Sequence, residues 1–107
     1  MKLSIQQTMT CAVFVLAGAA SAWAQGDAKD IYLNKCATCH GPDGAGKTAM
    51  GKKLKVKDAH EVVGKMSADE MITVVTNGKG QDMDAYSKQF NKDQVKALVD
   101  YYRGLAK

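Results

Sequence analysis

The sequence predicts an all-α domain, three or four short helices joined by long loops, and three observations predict it. Two helix starts are written as reciprocal caps. In Ser67-Ala68-Asp69-Glu70, and again in Asn91 with Gln94, a short polar side chain and a longer one three residues on each satisfy a free backbone N–H. Behind the second cap, Val95, Leu98, Val99, Tyr102 and Leu105 recur at i, i+3, i+4, i+7 and i+10, one apolar helical stripe. No run alternates apolar and polar residues as a half-buried strand does, and the β-branched stretch 72–76 lies between helix start and stop signals.

The first 24 residues differ from the rest. Lys2 is their only charge, an apolar run extends from Cys11 to Ala20, and Ala22-Trp23-Ala24 is a small-x-small triplet. This pattern reads as a secretory signal peptide over 1–24, with a single domain over 25–107. The apolar run falls well short of the roughly 20 residues a membrane span needs. A retained N-terminal anchor is the competing reading, and no lipobox precedes Cys11. Cleavage removes Lys2, leaving 14 basic side chains against 11 acidic ones, a net charge of +3. With no arginine cluster and no interleaved aromatics, that surplus argues against a nucleic-acid binder. A core this small rarely supplies more than about 3–5 kcal/mol without a staple. A Cys36–Cys39 bridge closes too short a loop to supply it. Something else is expected to complete the core.

Along the remaining chain, Asp27 is placed to cap a first helix running to about Cys36. Residues 41–46 hold three glycines and the only proline, which is loop chemistry. Residues 47–58 carry Lys47, Lys52, Lys53, Lys55 and Lys57, and their apolar positions show no clean period, so a loop is expected, followed by a short helix over about Asp58–Gly64. After the Ser67 cap, Met71, Val74 and Val75 form a stripe and Gly78 stands where a left-handed stop belongs. Residues 78–90 read as loop. Connections this long within a small domain usually have a function, here expected to be wrapping a bound group.

Cys36-Ala37-Thr38-Cys39-His40 carries the chemistry. C-x-x-C-H is the signature of covalent haem c attachment, with two thiols on one helical turn adding to porphyrin vinyl groups and the next residue supplying an imidazole to the iron. A thioredoxin-type dithiol belongs in a βαβ pattern, for which no strands are visible. A zinc site needs about four ligands, and only Cys36, Cys39, His40 and an isolated His60 are soft candidates. A plain disulfide is the remaining alternative. A thioether as sixth ligand would favour electron transfer and raise the potential. Met50, Met66, Met71 and Met83 are available. Met71 lies on a core stripe and Met66 precedes a cap, whereas Met83 lies in a glycine-containing loop; the residues alone leave the choice open.

Residues 36–46, CATCHGPDGAG, resemble the haem segment of small class I c-type cytochromes. Residues 76–86, TNGKGQDMDAY, are similar to the methionine loop of that family, commonly N-G-K-G-x-M-P-A-F/Y, and the helix with Leu98, Val99, Tyr101 and Tyr102 resembles its terminal helix. The resemblance covers nearly all of 27–107. It implies the class I cytochrome c fold around one haem c, held covalently through Cys36 and Cys39, with His40 and Met83 as axial ligands, and it implies electron shuttling. Asp84 stands where the family usually has proline, which leaves the loop freer and places a carboxylate near an apolar site.

The remaining candidates have plain structural readings beside the functional ones. The lysines of 47–57 are either a docking face for an acidic redox partner or a solvated loop. Tyr32, Tyr101 and Tyr102 are expected to pack between the terminal helices, and His60 to lie on the surface. Pro42 or a later loop carbonyl is expected to accept the second nitrogen of His40. No nucleophile or acid–base pair points to an enzyme. The expectation is a periplasmic or secreted monomeric electron carrier with protein redox partners. The alternatives are a five-coordinate haem protein that binds a diatomic ligand and a small haem subunit of a larger dehydrogenase.

Overall fold

Residues 27–107 are described by the computed structural model; the expected signal peptide over 1–24 lies outside the described residues. Helix α1 occupies residues 27–40, so Asp27 is already helical and does not cap it. Its middle, Tyr32–Cys36, is a π-helical turn closed by the Ala37 N–H donating to the Tyr32 carbonyl, and Ala37–His40 continues it as α-helix. The expected end near Cys36 therefore moves to His40. A π turn inserts an extra residue and rotates the C-terminal part of the helix about its axis, a feature frequent at functional sites.

Helix α2, Ala49–Leu54, corrects the expectation of a loop over 47–58. Its apolar content is too sparse for a periodic stripe, and tertiary contacts make the helix instead. The Thr48 side chain caps it by accepting the Gly51 N–H at 2.9 Å. The same hydroxyl donates to the carbonyls of Thr38, at 2.6 Å, and Cys39, at 3.2 Å, which the end of α1 leaves without helical partners. Gly51 permits the approach: a Cβ there would collide with the backbone oxygens of Cys39 and Gly46. Helix α2 ends in a Schellman arrangement with Lys55 in the left-handed region, Val56 N–H donating to Gly51 O at 2.8 Å and Lys55 N–H to Lys52 O at 3.3 Å.

Helix α3, Ala59–Lys65, is capped by Asp58 and answers the expected short helix. Helix α4, Ala68–Asn77, starts on the expected Ser67/Glu70 box. It stops at Gly78, whose φ of 79° is positive as expected, but whose ψ of −177° is extended rather than helical. Helix α5, Lys92–Gly104, starts on the Asn91/Gln94 box. Among the described residues the only β-type pairing is an isolated bridge between Lys79 and Met83.

Helix α5 lies against α1, α3 and α4. Its Val95, Leu98 and Val99 are buried, and Leu98 packs with Ala28 and Tyr32 of α1 into the main cluster. The tyrosines pack as expected: Tyr32 lies 5.2 Å from Tyr101 and 6.3 Å from Tyr102, ring centre to ring centre. Met71 is buried, in keeping with its place on the α4 stripe. Beyond these, only Ala59 joins the fully buried apolar set of the described residues. Val62, Val63, Ile72, Val74, Val75 and Phe90 stay half-buried. Burial contributes in proportion to apolar area removed from water, so these side chains leave much of their contribution unrealised within the polypeptide alone.

Candidate functional site

Cys36, Cys39 and His40 stand together at the end of α1, where Cys36 closes the π turn and Cys39 and His40 follow on the last α-helical turn. Both cysteines are free and half-buried, so they do not form the disulfide that the sequence left open. Burial, then the neighbouring Cys39, pushes the Cys36 thiol up to about 11, which keeps it protonated at neutral pH. Burial pushes His40 below its usual value, favouring the neutral imidazole. Neutral imidazole is the form that ligates metals. Its Nδ1 is buried and has no hydrogen-bond partner. An orphaned polar atom of this kind costs about 1–3 kcal/mol and calls for an explanation.

Neither Pro42 nor a later loop carbonyl, the expected acceptors, takes a hydrogen bond from that nitrogen. The oxygens beside His40 are engaged elsewhere: Ala37 O accepts from Gly41 N–H at 2.8 Å, and His40 O from Gly46 N–H at 2.8 Å. Gly41 O accepts the Tyr32 hydroxyl at 2.7 Å. What lies beside the imidazole is the ring of Tyr102, edge-on, with centroids 5.4 Å apart.

The methionine-bearing segment is tied down by backbone bonds. Lys79 N–H donates to Met83 O at 2.8 Å, Tyr86 N–H to Val75 O at 3.0 Å and Ser87 N–H to Thr76 O at 3.2 Å. Gly78 lets this turn close, since a Cβ there would meet Met83 O at 2.7 Å and Ala85 N at 2.8 Å. Met83 is half-buried, whereas Met50 is exposed. Asp84, the departure from the proline pattern, is exposed and turns no buried charge into the site. Tyr86 stacks on Phe90 at 5.7 Å. Its phenol is held above its usual value by burial, then by Cys36, Asp84 and Cys39.

His60 is exposed and its Nδ1 lies 2.8 Å from Asp58, which makes it a surface histidine as expected and leaves it no part in a metal cluster. Among the described residues no group of three or more His, Cys, Asp or Glu side chains gathers as a metal site. Two thiols and a half-buried imidazole that burial keeps neutral, all on one turn, fit a covalently held haem, with partly buried apolar side chains of α3 and α4 for a large flat group to cover. Sequence reasoning placed these residues and the packing of Tyr102 between the terminal helices; it missed the edge-on approach of Tyr102 to His40 and the stacking of Tyr86 on Phe90.

Known proteins agree with that geometry. The family model described as "Cytochrome C oxidase, cbb3-type, subunit III" matches residues 24–101. The cbb3-type cytochrome c oxidase subunit FixP of Azorhizobium caulinodans is 33% identical over 76 residues, 71% of this chain and 25% of that subunit, so the chain spans about a quarter of its length. Cytochrome c6 of Leptolyngbya boryana is 34% identical over 71 residues, 66% of this chain and 80% of that protein. The solved KustC0563 c-type cytochrome superposes with a TM-score of 0.69 at 32% identity, covering 75% of this chain and 98% of that one. The chain belongs to the small class I c-type cytochromes and has their all-α fold.

Proposed function

We propose that this chain shuttles single electrons between protein redox partners outside the cytoplasm, through one haem c attached at Cys36 and Cys39 and held axially by His40 and Met83. The observation that carries the reading is the shared turn of α1, where both thiols lie free beside a half-buried imidazole. The bound haem would supply the Fe(III)/Fe(II) couple, and the protein binds, orients and tunes it. Helix α1 holds the thiols and His40 in fixed register, and α2 braces that turn through Thr48 and Gly51. The backbone bonds around Met83 restrain its thioether without help from a proline. The domain is taken as 25–107, released from the export signal over 1–24.

Lys47, Lys52, Lys53, Lys55 and Lys57 are all exposed on and around α2, the helix packed against the cysteine-bearing turn. This face is the proposed docking surface for an acidic partner, a role in which charge raises the association rate more than the affinity. The free carrier is proposed to be a monomer. The match to an oxidase subunit and the short span of FixP that it covers favour one second reading, a domain that works inside a larger redox complex.

The test is an optical spectrum of the exported protein, oxidised and reduced, with the mass of the peptide bearing Cys36 and Cys39. A reduced c-type band and a peptide heavier by one haem support the reading. A colourless product with free or bridged thiols refutes it. Resistance of the reduced protein to carbon monoxide supports Met83 as a ligand, and fast binding at neutral pH removes it. Elution with a large complex from native extracts would favour the second reading over the free carrier.

A further inference from the structure

Among the described residues, the buried side-chain atoms without a hydrogen-bond partner are His40 Nδ1 and the Tyr102 hydroxyl, and they belong to neighbouring rings. The pair is edge-on, at 73° and 5.4 Å between centroids. The nearby carbonyls of Thr38, Cys39, Ala37, His40 and Gly41 all have donors already. Tyr102 also packs against Tyr32 and the α1–α5 cluster, a role that phenylalanine or leucine would fill equally well. A hydroxyl buried there is costly unless it has a partner. Burial and the charge of Asp58 push that phenol up to about 12, so it stays neutral at ordinary pH.

We infer that the Tyr102 hydroxyl accepts the His40 Nδ1–H across one ordered water, and is thereby a positioning residue for the axial imidazole. The inference rests on the proposed ligation by His40, through the other ring nitrogen. The outer nitrogen of a ligating histidine ordinarily donates to an acceptor that fixes the ring and raises its basicity. A more basic imidazole favours the ferric state, so removing the acceptor raises the reduction potential.

The experiment compares the haem-loaded wild type with Tyr102→Phe, Tyr102→Leu and Tyr101→Phe. It uses spectroelectrochemistry and the His40 Nδ1–H resonance of the reduced, nitrogen-15-labelled protein. Both Tyr102 variants are expected to raise the ferrous-to-ferric ratio at a fixed electrode potential about fivefold, the effect of a hydrogen bond of ordinary net strength. They are also expected to shift that resonance and speed its exchange with solvent. Tyr101→Phe is expected to do neither. A folded, haem-bearing Tyr102→Phe with unchanged potential and resonance overturns this inference and leaves His40 ligation standing. Equal shifts in Tyr101→Phe overturn it as a packing effect. A wild type without haem overturns the ligation reading and this inference with it.

Discussion

Substituting Gly51 by alanine tests whether α2 is held by close contact with the cysteine-bearing turn. A methyl group there would stand 2.5 Å from the Gly46 carbonyl oxygen and in collision with that of Cys39. Both are backbone atoms, which cannot swing aside as a side-chain end can. Ordinary van der Waals contact begins near 3.4 Å, so the segments must part by most of an ångström. Overpacking of this kind costs about 1–3 kcal/mol. Replacing a helical glycine by alanine returns about 1 kcal/mol of helix propensity. With the collision at the upper end of its range, the net loss is about 2 kcal/mol. At roughly 4–8 °C per kcal/mol for a domain of this size, Tm should fall by about 8–16 °C. Gly64 near the end of α3 is the control, because nothing lies within 4 Å of its added methyl. Gly64→Ala should raise Tm by up to about 8 °C. Thermal melts of the haem-loaded proteins followed by far-ultraviolet circular dichroism read both. If Gly51→Ala matches Gly64→Ala in sign, α2 is not packed against α1 as described.

The capping, core and haem contacts set three more outcomes. Glu70 is held below its usual value by the Ser67 backbone N–H and then by the Ser67 hydroxyl, so the capping box should stabilise fully above about 4.5, the ordinary value, and weaken as pH falls through the lower folded value. Glu70→Gln keeps an acceptor and should flatten that part of the Tm–pH profile; an unchanged acid slope would remove Glu70 as its source. Leu98→Ala should cost about 2–5 kcal/mol, since Leu98 is 4% exposed at the α1–α5 contact, and a urea midpoint close to wild type would show that this contact carries little. The haem-free chain should lack a cooperative melt and a near-ultraviolet signal, because the described domain buries so few apolar side chains fully; a native-like apo spectrum would contradict the proposed part of haem in the core.

The methionine loop shows how a motif and a structure answer different questions. The glycines and Met83 are legible because a tight turn demands those residue types. The missing proline at Asp84 suggests a loose loop with an intruding charge. In the fold the turn is tied at Lys79, Tyr86 and Ser87, and Asp84 faces solvent. Restraint that a proline supplies locally is here supplied by backbone partners on α4.

Residue chemistry and short-range spacing were enough to reveal the two capping boxes, the apolar stripe of α5, and the thiol pair with its adjacent histidine, because each depends on groups within about one or two helical turns. Tertiary structure alone decided the rest. Helix α2 has no periodic stripe and exists through Thr48 hydrogen bonds and the approach at Gly51. The meeting of Tyr102 with His40 joins positions 62 residues apart, beyond the reach of any periodicity. Such contacts are fixed by packing, where which surfaces meet depends on the whole chain at once.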